Sequence, residues 1–247
     1  RKLVPEIEDL VLRYESLAAR TDGDELAGTV VMGALVSALM GAFADALWSL
    51  KRDHPQLKIQ LFAGQSSNFA HQVEHGEFDA AVVTQPPSPL PTSLRWTPLY
   101  IEPMVLVVPR RPHFTLPSAP LDILRQSPFI RFDRQTWTGK LVDDVLRQCR
   151  VSVLDEMELN SVEAIIEIVR QGFGVSIVPM LANVAWDKDR ALSVAPLPGV
   201  SVVRRVGLIE RARHGRMRFT DAIKAYFELS QAESEARRTL SRGPRRR

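Results

Sequence analysis

The sequence predicts an α/β protein built from two similar lobes, and three observations carry that prediction. The first is a capped helix that turns straight back into a strand, NSVEAIIEIVRQGFGVSIVP, residues 160–179. Val162, Ile165, Ile166 and Val169 fall at i, i+3, i+4 and i+7, one apolar stripe of an amphipathic helix. Asn160 followed three residues later by Glu163 is a start signal of the capping-box kind. Gly172 stands where a C′ glycine stops a helix, and Val175, Ile177 and Val178 read as a short buried strand closed by Pro179. The second observation is that the unit recurs in SSNFAHQVEHGEFDAAVV, residues 66–83, with Phe69 and Val73 on the helix, Gly76 ending it and a strand over 78–83. The copies stand about 95 positions apart, well beyond the roughly 20–50-residue period of a solenoid. Single helix–glycine–strand turns are common in α/β proteins, so it is the pair that suggests two lobes. The third observation is a proline-laden break, RRPHFTLPSAP, after which the strand and helix patterns restart.

The elements follow in order. KLVPEIEDLVLRYESLAAR places Leu3, Ile7, Leu10, Tyr14 and Leu17 at heptad a/d spacing, a connecting or dimer-forming helix over 1–21. TDGDELAG is a linker. TVVMGAL predicts a buried strand, and a helix runs from Ser37 to about Asp53 through Leu39, Met40, Phe43, Leu47 and Leu50. LKIQLFAG alternates as the next strand, before the 66–83 unit. Strands separated by helices of this length need crossover connections, which predicts a largely parallel sheet. TQPPSPLPTS is a surface connector, and LRWTPLYIEPMVLVVP gives two extended segments. Beyond the break come PFIRF as a strand, TGKLVDDVLRQCR as a helix, VLDEMEL as a strand, and the 160–179 unit. VSVVRRVGLIER is a long strand, and a terminal helix follows with Phe219, Ile223, Tyr226 and Phe227 along one side. A strand and helix left over at the end return to the first lobe. The expected division is therefore 28–105 with 207–234 for the first lobe, 106–206 for the second, and a basic, disordered tail over 235–247.

Composition narrows the function classes. The chain has 247 residues, 45% of them hydrophobic, ample for a large core. A single cysteine, Cys149, rules out an internal disulfide framework and fits a reducing, cytoplasmic setting. No run approaches the roughly 18 apolar residues of a membrane span, and no membrane partner is expected. The net charge of +3 includes six arginines in RRTLSRGPRRR, residues 237–247, so the rest of the chain carries 3 − 6 = −3. The basic balance thus belongs to the tail and does not mark the body as a nucleic-acid binder. The chain opens on Arg1 rather than Met, so a piece of a longer protein is expected.

Catalytic and metal chemistry find little support. No Gly-rich phosphate loop and no G-x-S-x-G elbow occurs. His71 and His75 sit at i, i+4 on a helix, but no third ligand is near and Glu74 is misplaced for H-E-x-x-H, so they read as a solvated face. No catalytic residue, metal ligand or cofactor is assigned.

The sequence does offer small polar residues at helix starts just after strands. These are Ser37, then Gln65, Ser66 and Ser67, then Thr136, then Asn160 and Ser161, with Thr84 ending the strand 78–83. In an open α/β sheet, ligands bind beyond the carboxyl ends of the strands. Helix N-termini there present free N–H groups to an anion. Arg131 and Trp137 add a charge and a flat apolar surface, so the expected ligand is a small anionic or aromatic molecule.

The order of these segments resembles the effector-binding region of LysR-type transcriptional regulators. The residues that carry the resemblance are GTVVMGALVS (28–37), KRDHP (51–55), LKIQLFAG (57–64), QVEHGEFDAAVV (72–83), PLYIEPMVLVVPRRPHF (98–114) and ELNSVEAIIEIVRQGFGVSIVP (158–179). The resemblance implies a linker helix followed by two Rossmann-like subdomains of the type 2 periplasmic-binding-protein-like fold, joined by two crossover strands. It implies an effector cleft lined by Ser37, Ser66, Ser67, Arg131, Thr136 and Ser161, and self-association into a homodimer or tetramer. It also implies contact with DNA through a winged helix-turn-helix absent from these residues. Two other functions share such a scaffold. A transporter's solute receptor predicts a secretory signal, and an enzyme predicts a catalytic group in the cleft.

Overall fold

The computed structural model describes residues 26–110, 114 and 116–241, with residues 187 and 231–241 described by backbone alone. The heptad positions Leu3, Ile7, Leu10, Tyr14 and Leu17 lie outside the described residues.

The first lobe opens with β1 (Gly28–Ala34), α1 (Val36–Met40), α2 (Ala42–Asp53), β2 (Leu57–Ala63), α3 (Ser66–Glu74) and β3 (Ala80–Thr84). A strand of 16 residues, β4 (Leu94–Pro109), leads into α4 (Pro120–Gln126), β5 (Pro128–Phe132), α5 (Trp137–Cys149), β6 (Leu154–Leu159), α6 (Val162–Gln171) and β7 (Ser176–Pro179). A short 3-10 turn, β8 (Leu192–Pro196), β9 (Val203–Arg211) and α7 (Met217–Ser241) complete the chain. The helix expected from Ser37 to Asp53 is two helices, broken at Gly41, whose extended backbone has room only beside the carbonyls of Ser37 and Ala182. Helix α4 and strand β8 lie largely in segments to which the sequence patterns assign no element, and α7 runs past the expected start of the tail at 235.

Strands β2, β1 and β3 pair in parallel, as crossover helices require. The sheet is mixed rather than largely parallel, because β9 pairs antiparallel with both β3 and β4. Its path is β2-β1-β3-β9-β4-β7, with β8 also on β4. The chain changes lobes within β4, since Leu94–Pro103 pairs with β9 while Met104–Pro109 pairs with β7 and β8. Residues 203–206 pair with β4, and Val206 also with Thr84 of β3. In the second lobe β5 and β6 pair in parallel, and a Phe129–Val175 bridge joins them to the start of β7.

Each lobe has its own core. Around α6, Val162, Ile165, Ile166 and Val169 are buried against Leu106, Phe129, Ile130 and Ile177. Each such side chain contributes about 1.5–3 kcal/mol. Gly172 ends α6 in the left-handed region at φ 90°, the conformation glycine adopts without steric cost. In the first lobe, Phe43, Leu50, Leu57, Leu99 and Leu208 pack with Phe219, Ile223 and Phe227 of α7, so the terminal helix belongs to that lobe. Phe69, Val73, Phe78 and Ile209 form a smaller cluster on the sheet's other face.

Candidate functional site

Three helices begin on one cavity between the lobes, α3 from the first and α5 and α6 from the second. Their first turns leave backbone N–H groups without intrahelical partners. Neither α3 nor α5 has an acidic residue in its first turn. The local field at these two starts therefore favours a negative or strongly accepting group.

Each start is fixed by its own residues. Gln65 stands at the cap of α3 with extended backbone and makes no side-chain cap bond. Ser66, one position into the helix, accepts the Thr84 N–H at 3.1 Å, which leaves its hydroxyl proton to be donated elsewhere. Thr136 caps α5 by accepting the Gly139 N–H at 2.9 Å, and its own hydroxyl donates to the Asp133 carbonyl at 2.7 Å. The α6 cap is Ser161, one residue after the expected Asn160. Ser161 accepts the Ala164 N–H at 3.2 Å and donates to Glu163 Oε2 at 2.5 Å. Ser37 is buried inside α1, where Leu35 occupies the cap position, and so does not start a helix.

Eight of the expected positions line the cavity together: Ser37, Gln65, Ser66, Ser67, Thr136, Trp137, Asn160 and Ser161. Thr84 is fully buried and meets Thr138 across the lobes, the two Oγ1 atoms 3.3 Å apart. The void measures about 60 Å³. At ~10–15 Å³ for each water-sized position, that suits a compact metabolite and excludes a large one unless the lobes part.

Arg131 is not in this cavity. Strand side chains alternate between faces, and in β5 it is Phe132 that reaches the cavity. Arg131 faces a second hollow, where its Nε donates to Asp155 at 2.6 Å and its Nη1 to Asp143 at 2.7 Å. Burial alone would raise the Asp155 carboxyl, but the bonds from Arg131 and Arg134 hold it below the usual carboxylate range. This guanidinium is already neutralised by two carboxylates.

The cation in the cavity lining is Arg204, 1% exposed on β9. It stands opposite Glu102 of β4, so the two crossover strands face each other through a buried ion pair. Arg204 Nε donates to Glu102 Oε2 at 2.7 Å. Nη2 lies against the same oxygen off hydrogen-bond geometry, so neither Nη2 nor Glu102 Oε1 has a hydrogen-bond partner. Burial pushes the Glu102 carboxyl up, against the opposing pull of Arg204, and the buried Tyr100 hydroxyl beside the pair is also pushed up.

Sequence reasoning missed Arg204, Phe132 and Glu163 as cavity residues, while Thr138, which stands with Thr136 between the strand 128–132 and the next helix, does line it. One signal was available for Arg204. It is in phase with Val206 and Leu208 on a strand of period two, and a charge at a core phase asks for a reason.

Among the described residues no group of three His, Cys, Asp or Glu is placed to hold a metal. His71 and His75 stack on each other at 4.0 Å on an exposed face, and burial pushes the Cys149 thiol up, away from reactivity. Among the described residues no helix is long and apolar enough to cross a membrane.

Two Rossmann-like lobes joined through shared crossover strands define the two-lobed, type 2 periplasmic-binding-protein-like class. Within that class the chain belongs to the LysR substrate binding domain family, which matches residues 23–231. It is thus the effector-binding region of a LysR-type regulator, and the family and its relatives are transcriptional regulators rather than enzymes. Among relatives, a probable RuBisCO transcriptional regulator of Cyanophora paradoxa is 27% identical, over 96% of this chain and 79% of its own length. Among solved structures, the effector-binding domain of QuiR in complex with shikimate superposes with a TM-score of 0.71 at 16% identity, over 82% of this chain and 98% of that one. The CcmR regulatory domain of Synechocystis PCC6803 in complex with 2-PG gives 0.67 at 20% identity, over 81% and 97%.

Proposed function

We propose that this chain senses a small effector in the cavity between its lobes and relays occupancy to a DNA-binding domain carried elsewhere in the intact, cytoplasmic protein. The observation that carries the proposal is the convergence of polar residues from both lobes, Ser37, Gln65, Ser66 and Ser67 on one side, Thr136, Trp137, Asn160 and Ser161 on the other. A ligand held by both sides binds one lobe arrangement better than any other, and that difference in affinity is what shifts the population. The protein self-associates into a homodimer or tetramer, through which occupancy of the cavity reaches the DNA-binding domain. The complexes of QuiR with shikimate and of CcmR with 2-PG support a compact polar ligand.

The test is a thermal-shift screen of small acids and aromatic metabolites on wild type, Ser66→Ala and Ser161→Ala. A cleft ligand stabilises wild type and loses about 1–3 kcal/mol of that effect in each variant, the cost of an unpaired buried partner. A ligand that stabilises all three proteins equally places the site elsewhere.

A further inference from the structure

We infer that the effector is a small hydroxy acid, its oxyanion received by Arg204 and a hydroxyl received by Glu163. This deepens the cleft reading and rests on it.

Arg204 and Glu163 are the two charged side chains that line the cavity, one from a crossover strand and one from the first turn of α6. Glu163 carries a buried oxygen, Oε1, with no hydrogen-bond partner, and Arg204 Nη2 makes no hydrogen bond either, its contact being the ion pair with Glu102 Oε2 at 2.5 Å. Such atoms are rare in folded proteins, because each forfeits its hydration without a replacement bond. The two are complementary in kind: a donor bearing positive charge and an acceptor bearing negative charge. A ligand that satisfies both must present an anionic acceptor at one point and an O–H or N–H donor at another. The surrounding groups narrow the choice further. The Ser66 hydroxyl proton is uncommitted, and the first turns of α3 and α5 offer N–H groups with no acid beside them, which adds donors on the anion's side. Among the lining residues Glu163 is the one acid, so the ligand's donor end has a single charged destination.

Glu102 has a different part. It lies outside the cavity lining and grips Arg204 from behind through one oxygen. Its Oε2 engages both Nε and Nη2 and so positions the guanidinium at the cavity wall. Carboxylates and phosphates share the oxyanion chemistry that Arg204 reads.

The experiment measures binding by calorimetry to wild type, Arg204→Lys, Glu163→Gln, Ser66→Ala and Ser161→Ala. The ligands are lactate, glycerate, malate, shikimate and 3-phosphoglycerate, with two controls, methyl shikimate and cyclohexene-1-carboxylate. Inorganic phosphate separates a phosphate preference from a carboxylate one. The inference expects at least one hydroxy acid to bind at millimolar concentration or better. For shikimate, removing either the charge or the hydroxyls weakens binding about ten- to a hundredfold. Arg204→Lys keeps the charge but loses the second guanidinium N–H, and it too weakens the hydroxy acid by about tenfold. Glu163→Gln removes the preference for the hydroxylated ligand while sparing cyclohexene-1-carboxylate. The inference is overturned if no hydroxy acid binds, or if ester and acid bind alike. It is equally overturned if both substitutions, in folded protein, leave hydroxy-acid affinity unchanged. A neutral ligand that is sensitive to Ser66→Ala but not to Arg204→Lys leaves the cleft standing and removes the anion. A hydroxy acid insensitive to all four variants removes the cleft reading as well.

Discussion

Replacing Glu210 with Gln tests what makes the first lobe a rigid body. The Glu210 side chain is fully buried on β9, yet it serves two other elements and the loop that follows its own strand. Arg95 of β4 donates to Oε1 through Nε at 3.1 Å and Nη2 at 2.8 Å, and Lys224 of α7 donates to the same oxygen at 2.7 Å. His214 Nε2 lies 3.0 Å from Oε2. Burial alone would raise this carboxyl, but the bonds from His214, Lys224 and Thr220 outweigh it and hold the carboxyl far below the usual range. The sign follows from that direction. A depressed folded value means the contribution is fully present above the ordinary glutamate value of 4.5 and is lost as pH falls through the folded value. Removing one partner from a buried ionic network costs about 3–5 kcal/mol. Arg95 is nearly half exposed and adds little to that figure. For a chain of this size the loss corresponds to a melting temperature lower by about 6–20 °C. Urea unfolding at neutral pH, repeated down to pH 3, measures both effects. Glu210→Gln should be less stable at neutral pH, and its stability should fall less steeply on acidification than the wild type's. A variant within about 1 kcal/mol of wild type, or one with the same acid slope, refutes the reasoning.

Three further outcomes follow from the packing. A Cβ added at Gly139 would stand 1.9 Å from the Asp133 carbonyl oxygen, so Gly139→Ala must push the start of α5 off its seat. Urea midpoints should show a loss of at least about 1–3 kcal/mol, and the same variant should lose cleft ligands. Ile165→Ala removes a fully buried side chain of α6 and should cost about 2–5 kcal/mol by the same assay. Arg131→Gln breaks two ion pairs in the second hollow and should lower stability without weakening any cleft ligand, which calorimetry can check.

The architecture was legible because it is written in periods and stops. The stripe Val162, Ile165, Ile166 and Val169 is the buried face of α6, and Gly172 closes the helix in the left-handed conformation its sequence position suggested. What the sequence hid depends on pairing between distant segments. The stretch from Leu94 to Pro109 reads as two extended pieces, yet it is one strand that changes partners midway, and only the partners reveal that. The site divides along the same line. Ser66, Thr136 and Ser161 follow from the rule that ligands gather where helices begin after strands, a local signal. Arg131 seemed to share in this by its nearness to Thr136, but strand alternation turns it to the other face, where Asp143 and Asp155 take it up. Arg204 needed the opposite step. It lies far along the chain from the helix starts on the cavity, and it reaches the cavity only because β9 lies beside β4 at the crossing.

That crossing also locates where the lobes can move, and it points to a latch. Besides the strands, the contacts between the lobes include the buried Thr84–Thr138 pair, Trp137 against the Phe69 cluster, and Asn183, whose side-chain amide donates to Asp45 of α2 at 2.6 Å. Asn183 has φ 65°, a left-handed backbone that glycine adopts as readily. Asn183→Gly therefore keeps the loop conformation and removes only the bond between the lobes. An exposed hydrogen bond of this kind contributes about 0.5–1.5 kcal/mol, so its loss should shift the balance between lobe arrangements about two- to tenfold toward the more open one. Asp45→Ala should do the same, and the double variant no more than either alone, since both remove one interaction. Distance distributions between spin labels on the two lobes report that shift directly. If Asn183→Gly leaves the distribution unchanged, or if the two substitutions add, the bond is not a latch. Closure would then rest on the other contacts between the lobes, the threonine pair and Trp137 among them.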